Sequence, residues 1–431
     1  MRFGSCWLFS TLLILLVPVQ SAEGNGTGYV IERIEVRGNQ KTKSEFIIRS
    51  LLLQQGDRLT PGRIDASRES LYRTRLFRTV HVASKPGSEQ GHAVLMVFVD
   101  EKRFGDIGAS FEYTELDGFG LVVDAYHVNL WGEGKTVGSE FIHGERLKSW
   151  GFYYSDPWLT DSGLSLHLNA SVSSSDRDLY PNRNIKASGT YDLSRTGGSI
   201  GIGQPIGKSH RLIYKFSYQD VQIGSFVAPA SSIGSLNFEQ EVQNAIGREP
   251  VAFLGLDFHH QPTGFVWGST PGLDVRLQAD YSSEYFGSKS NFLRLQSQVY
   301  RHFEALPGQI FTVGGRAGTI LGTPPFYERF FLDGSNQLRG FEPRGFGSEG
   351  GTKFISAEAL YSIVMRPVGR LYVFGEWAAI RRPLNQIDKT GSDGTFGIGI
   401  LLFNRVDLSF GIGSGTLIIK SHRFGGINVG L

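Results

Sequence analysis

From Phe104 onward the chain keeps returning to one pattern: apolar and polar residues alternate for roughly ten positions, a turn signal intervenes, and the alternation resumes. Leu164, Leu166, Leu168, Ala170 and Val172 alternate with Ser165, His167, Asn169, Ser171 and Ser173, the two-residue period of a strand with one apolar and one polar face. Leu212, Tyr214, Phe216 and Tyr218 separate in the same way from Arg211, Ile213, Lys215 and Ser217. The division returns in Val275, Leu277, Ala279 and Tyr281, and again in Val406, Leu408, Phe410 and Ile412. Segments of this kind begin near residues 105, 120, 135, 149, 163, 196, 209, 251, 273, 291, 309, 353, 370, 394, 405 and 423. Residues 104–431 are therefore expected to form an all-β transmembrane barrel of about sixteen antiparallel strands. Connections after even strands are short, as in Trp131-Gly132-Glu133-Gly134, whereas Gln222–Pro250 and Leu321–Gly351, after odd strands, are long. Short turns on the periplasmic side and long loops outside are how such barrels distribute their connections.

The preceding residues carry a different pattern. Tyr29–Arg37 alternates and ends at Gly38-Asn39; Thr42–Leu53 and then Pro61–Leu76, with Thr60 as N-cap, follow helical spacing; Phe77–Ser84 and Ala93–Asp100 alternate again. Strand, helix, helix, strand, strand defines a small α+β unit over residues 24–103. Ahead of it, Arg2, the apolar run Cys6–Val19 and small residues at Ser21 and Ala22 read as a signal peptide over residues 1–22. Cleavage there would remove Cys6, the one cysteine.

Composition narrows the class. With 431 residues, 56 glycines, 12% aromatic residues and a net charge of +2, the chain suits a large β-structure and gives no footprint for nucleic acid. Mean hydropathy is −0.14. No apolar run after the signal is long enough for a membrane helix, so the competing class is a soluble sandwich or propeller. Motifs for catalysis fail on context. Gly197-Gly198-Ser199-Ile200-Gly201 sits in a strand series with no helix after it, and Gly345-x-Gly347-x-x-Gly350 opens no helix. His259 and His260 are neighbours that point to opposite strand faces, and Asp161, Asp176 and Asp178 lack calcium-loop spacing. No enzyme, metal or cofactor is expected.

One loop stands apart. Phe330-Phe331-Leu332-Asp333-Gly334-Ser335-Asn336-Gln337-Leu338-Arg339-Gly340-Phe341 sets a single arginine between glycine and aromatic neighbours, able to project as a lone cation.

Ile34-x-Val36-x-Gly38-Asn39 and Leu76-Phe77-x-x-Val80-x-Val82 resemble a POTRA domain. Asn129-Leu130-Trp131-Gly132-x-Gly134, Tyr154-x-Asp156-Pro157-x-Leu159 and Leu338-Arg339-Gly340-Phe341 are similar to turns of the BamA, TamA and FhaC superfamily of outer-membrane assembly and secretion barrels. The resemblance implies a loop folded into the lumen, with Arg339 meeting an acidic residue on the inner wall. Glu376 in Leu371–Ile380 is the matching candidate, with Tyr372 and Phe374 on its face and Leu371, Val373 and Trp377 toward lipid. It further implies a POTRA-like unit in the periplasm, insertion of β-barrel proteins into the bacterial outer membrane, and lateral opening between the first and last strands. Gly105 and Gly108 would weaken the first strand there, and Gly425, Gly426 and Gly430 the last, near Phe424–Leu431. Expected partners are unfolded outer-membrane or secreted polypeptides, outer-membrane lipid and periplasmic accessory proteins. Secretion through the lumen is the near alternative; a passive channel belongs to another class. The chain departs from the family in carrying one POTRA-like unit, in Glu for the commoner Asp, and in ending at Leu431 instead of an aromatic residue.

Overall fold

The computed structural model describes residues 28–114, 117–179, 189–207, 210–227, 236–260, 271–332, 350–365, 369–382, 389–402, 406–412 and 417–421. The expected signal segment lies outside them.

The first unit consists of β1 (Val30–Arg37), α1 (Ser44–Ser50), α2 (Pro61–Arg73), β2 (Phe77–Pro86) and β3 (His92–Glu101). Its sheet runs β1-β3-β2, with β1 parallel and β2 antiparallel to the central strand. Both helices bury apolar residues against one sheet face, joining Phe46, Ile47 and Leu71 to Ile31, Leu95 and Val97. The Thr60 hydroxyl accepts from the Arg63 amide, and Pro61 begins α2 where no donor is lost. α1 is shorter than the spacing of Thr42–Leu53 predicts. Leu51 turns extended at ψ 152°, and the chain beyond it lies along β1, with Gly56 donating to Ile31 O and Leu59 to Tyr29 O. Leu51 and Leu53 still fill the core, but from a non-helical backbone. α2 likewise ends three residues before Leu76, at Arg73.

The barrel strands follow: β4 (Gly105–Thr114), β5 (Gly118–Leu130), β6 (Lys135–Gly144), β7 (Leu147–Asp156), β8 (Ser165–Leu179), β9 (Gly189–Ile206), β10 (His210–Val227) and β11 (Gly247–His260). The second half comprises β12 (Gly272–Ser282), β13 (Phe292–Leu306), β14 (Gln309–Gly322), β15 (Lys353–Met365), β16 (Gly369–Arg382), β17 (Lys389–Leu402), β18 (Val406–Ile412) and β19 (Leu417–Ser421). Consecutive strands pair antiparallel, and β19 returns to β4, closing a ring of sixteen. Large apolar side chains such as Tyr214, Leu256, Val313, Val373 and Trp377 are exposed on the outside, while Asp274, His302, Glu358 and Glu376 are buried. This is apolar toward lipid and polar within, as a spanning barrel requires.

Two sequence expectations need correction. The segment Gln222–Pro250 is not all loop: β10 runs on to Val227, β11 begins at Gly247, and helix α3 (Leu236–Asn244) lies between them. The inward residues of these two strands at and beside its ends, Val221, Ile223, Val251 and Phe253, are apolar, because they face packed protein, and this erased the polar half of the period. β9 and β10 are 18 residues long, well beyond the expected segment length. The last described strand begins at Leu417, where Leu417, Ile418 and Ile419 form an apolar run with no alternation to mark it, and the expected segment near residue 423 lies outside the described residues.

Glycine and aromatic residues meet on the lumen wall. Tyr372 faces Gly399, Phe374 faces Gly397, Phe354 faces Gly318 and Tyr153 faces Gly138 in register. A Cβ on any of these glycines would overlap the opposing ring. Each ring lies over the gap its partner leaves, which restores the cross-strand contact that glycine forfeits.

The small unit sits against the barrel through two turns. Asn129, 2% exposed, donates to the Thr42 hydroxyl at 2.9 Å and accepts from Gly134 N at 2.8 Å, while Lys43 N donates to Gly132 O at 2.9 Å. Lys43 pairs with Glu133 at 2.5 Å, Arg49 pairs with Asp161 at 2.8 Å, and Trp158 packs on the small unit's core. Gly134 has φ +67°, and a Cβ there would strike the Phe46 ring. Gly134→Ala should therefore cost more than about 1 kcal/mol at this seat. The expected outcome is faster proteolysis between the two units while the barrel keeps its heat-modifiable mobility; unchanged proteolysis would refute the seat. Hydrogen bonds from Lys135 and Lys43 hold the Glu133 carboxyl at about 2, below its usual 4.5. A depressed carboxyl pKa contributes above the unfolded value and is lost as pH falls through the folded one. Protection should accordingly hold from pH 8 to 5 and weaken as pH falls from about 4.5 toward 2.

Candidate functional site

Between β14 and β15 the chain turns back inside the ring. A single 3-10 turn, Phe326–Glu328, follows Pro325, and Phe330 then exchanges both backbone hydrogen bonds with Gly351 at 2.8 Å, closing the base of the long loop. Phe326, Tyr327, Phe330 and Leu332 are buried with Tyr191 of β9, Phe253 of β11, Phe292 of β13, Phe354 of β15 and Ile380 of β16. Phe238 and Val242 of α3 cap the same cluster. A segment joining β14 to β15 reaches β9 and β11 together only from within the barrel, so the outer part of the lumen is filled along this arc.

Charge is built into that root. The carboxylate of Glu328, 5% exposed, accepts from Arg195 of β9 at 2.7 Å and from Arg294 of β13. Arg195 also donates to Tyr327 O at 2.7 Å, and Arg294 to Glu328 O at 2.9 Å. The Tyr327 hydroxyl donates to Glu249 of β11 at 2.8 Å, and Arg329 pairs with Glu241 of α3.

Further along the wall, Glu376 of β16 stands directly across from Glu358 of β15, 6% and 7% exposed. Tyr300 of β13 is hydrogen-bonded to Glu358 and to Arg316 of β14. Tyr372 and Phe374 share the inner face with Glu376, and Leu371, Val373 and Trp377 are exposed outside. Two carboxylates in adjoining positions repel each other unless cations lie between them.

Leu338, Arg339, Gly340, Phe341, Gly425, Gly426 and Gly430 lie outside the described residues. Gly105 and Gly108 lie on β4 opposite His127 and Asp124 of β5, toward the end that adjoins the small unit. β4 meets β19 at Tyr113↔Ile419. Glu358, Glu328, Arg195 and Arg294 went unmarked in the sequence. Glu358 was within reach, since it shares the inner face of Phe354, Ser356 and Leu360. Glu328 had one local signal, a lone acid inside an aromatic run.

A family model described as the Omp85 superfamily domain matches residues 129–380, more than half of the chain. The chain belongs to the Omp85 superfamily. A POTRA model, described as surface antigen variable number repeat, matches residues 29–102 of this Omp85 protein. Outer membrane protein assembly factor BamA of Nitratidesulfovibrio vulgaris is 21% identical over 318 residues, 73% of this chain and 38% of its own length. BamA of Neorickettsia risticii is 26% identical over 354 residues, 78% of this chain and 45% of its own. The chain thus spans less than half the length of these curated relatives. Among solved structures, BamA from Haemophilus ducreyi lacking POTRA domains 1-3 shares the fold at TM-score 0.59 and 16% identity, over 91% of this chain and 83% of that one. CdiB from Acinetobacter baumannii does so at TM-score 0.60 and 12% identity, over 91% and 72%. The family is one of assembly and transport barrels; the barrel lies in the outer membrane, with the POTRA unit on its periplasmic side.

Proposed function

We propose that this Omp85 protein inserts β-barrel proteins into the outer membrane. The POTRA unit takes up an extended client segment, and the barrel opens between β4 and β19 to pass client strands into the bilayer. The observation that carries this reading is an occupied lumen. Packed protein fills the outer lumen from β8 to β16, and the first and last described strands, β4 and β19, are neighbours in the closed ring. A passive channel has no use for such filling. Secretion through the lumen, the alternative left by the sequence, requires the loop root to leave it. Periplasmic accessory proteins would dock on the same POTRA unit.

Cysteines at Tyr113 and Ile419, which are register partners, test the reading. Oxidation should lock the seam and deplete newly assembled barrels from the outer membrane, with reduction restoring them. If the locked protein assembles clients at the reduced protein's rate, lateral opening fails; loss of one exoprotein alone would favour secretion.

Arg339 is read as the cation for the Glu358–Glu376 wall. Breaking a buried pair costs roughly 3–5 kcal/mol, less where lumen water screens it. Arg339→Ala and Glu376→Ala should each reduce client assembly, and the double variant should lose little more than either single one. Strictly additive losses would refute the pairing.

The POTRA margins differ in access. β1 is paired along its first half by residues 56–59, and Val80 N of β2 donates to the Tyr72 hydroxyl at 3.1 Å. By strand parity the Ser84 amide points to the same outer margin, where no strand pairs among the described residues. Clients are read as adding there, by backbone hydrogen bonds. Ser84→Pro removes that donor and leaves the β3 ladder whole, so client crosslinking to the POTRA unit should fall several-fold without unfolding it. Undiminished crosslinking would move the client to another surface.

A further inference from the structure

The lipid-facing wall is uneven where the chain enters the barrel. Strand parity puts Ile107, Ala125, Ser139 and Phe152 on the outside, and they face one another in register across β4 to β7. One row nearer the outer face, Phe141 and Trp150 stand large and exposed, whereas Ala125 and Ser139 leave the wall low between Ile107 and Phe152. The result is a trough of about 540 Å³, open to the outside, that continues past Gly105 and His127 to Arg103. It lies at the strand ends adjoining the POTRA unit, level with the periplasm-facing leaflet, and exposed Trp131 on the neighbouring turn marks the interface. A serine hydroxyl and an imidazole are out of place against hydrocarbon alone. Nδ1 of His127 accepts from Asn129 N at 3.2 Å, so the ring proton stands on Nε2 as a donor.

Cations gather at the periplasmic end of this trough. The Arg103 side chain is 83% exposed, and its ion pair among the described residues is a long contact of 3.6 Å to Asp106. Lys102 N donates to Leu76 O at 2.8 Å, which brings the turn after α2, with Arg75 and Arg78, against the link from β3 to β4. Burial, and then the charges of Arg75 and Arg78, push the Lys102 ammonium below its usual range, so the neighbouring charges felt there are positive. Arg75 stands at φ +61° just past the end of α2, a position that favours glycine. A cation held there against that preference points to a use for its charge. Arg78 pairs with Asp100 at 3.3 Å, but both are well exposed and such pairs are weak.

We propose that this corner binds one anionic phospholipid of the periplasm-facing leaflet, with an acyl chain in the trough and the phosphate among Arg103, Lys102, Arg75 and Arg78. A lipid fits where a soluble anion does not, because the trough opens on hydrocarbon and runs into the cationic end. Anionic headgroups attract clustered Lys and Arg at a membrane face, and long cationic side chains reach them while their stems stay on apolar surface. The site stands at the joint between the POTRA unit and the first barrel strand, and it holds whether or not the barrel assembles clients.

The test uses the full-length protein in phosphatidylethanolamine vesicles. These carry a trace of phosphatidylglycerol or phosphatidylcholine with a photoactivatable group on the acyl chain, and crosslinked peptides are mapped. Phosphatidylglycerol should label residues 103–139 several-fold more than phosphatidylcholine at equal mole fraction, and the excess should shrink as salt rises. Ala125→Leu fills the trough and should remove most of the labelling of this stretch. Charge is removed in two separate pairs, so that a folding defect in one leaves the other: R75G/R78Q, whose glycine suits the positive φ, and K102Q/R103Q. Each should lower the phosphatidylglycerol excess several-fold in a barrel that stays heat-modifiable, while K102R/R103K, which keeps both charges, should retain it. Equal labelling by the two lipids in the unaltered protein, or an excess that survives both pairs in folded barrels, overturns the site. Labelling spread evenly around the barrel and unchanged by Ala125→Leu is that of ordinary surrounding lipid and overturns it as well.

Discussion

In hydrocarbon no water is present to receive a backbone N–H or C=O, and this one constraint organises the molecule. Each spanning strand must give both margins to neighbours, so the ring from β4 to β19 has to close on itself. Closure fixes side-chain direction with equal force. Every second residue faces lipid and becomes apolar, and the others face a lumen whose contents are then the only part of the barrel free to vary. The function proposed for this chain sets a contrary demand, because a barrel that hands strands to the bilayer needs one margin that can be given up. In the proposed reading the margin between β4 and β19, where the ring meets its own beginning, is the one given up.

What fills the lumen follows from the same geometry. Glycine opposite tyrosine or phenylalanine lets broad rings lie flat against the wall, as at Gly399 and Tyr372, and leaves space for a returning loop. That loop brings charge with it. Glu328 and the pair Glu358–Glu376 are carboxylates in places where an isolated ion would be costly, and each is set where arginine can reach. Opposed buried charges and aromatic packing together hold the described root, residues 326–332, against the wall.

The parts legible in the sequence are those where one physical rule acts alone. Two-residue alternation located β5, β6, β12 and β15 because lipid lies on one side and polar lumen on the other. It failed at Val221, Ile223 and Phe253, where packed protein replaces the polar lumen, and at Leu417, Ile418 and Ile419, which follow one another without alternation. Glu376 could be assigned to the inner face from its own strand. Glu328 could not, since its meaning depends on Arg195 and Arg294, more than thirty residues away in each case, and nothing local announces which distant cations a folded ring will bring near. α1 ended early for a related reason: burying Leu51 and Leu53 mattered more than continuing the helix, and only the position of β1 shows that.

The two ends of the barrel are held by different physics, and the difference bears on how it could work. At the periplasmic end the POTRA unit is joined by a short turn whose positive-φ glycines allow close approach, and by ion pairs partly open to water. Exposed pairs of this kind contribute about 1 kcal/mol or less each and are weakened by salt, so that joint can rock at little cost. At the outer end the loop root is held by dry aromatic packing and a fully enclosed carboxylate, which do not soften by degrees. A client engaged by the POTRA unit could therefore change the angle of the periplasmic joint, beside the strands β5 to β8, without first dislodging the lumen contents. Motion would begin at the joint adjoining the first strands and reach the seam through β4, while the far arc from β8 to β16 stays braced by its own core.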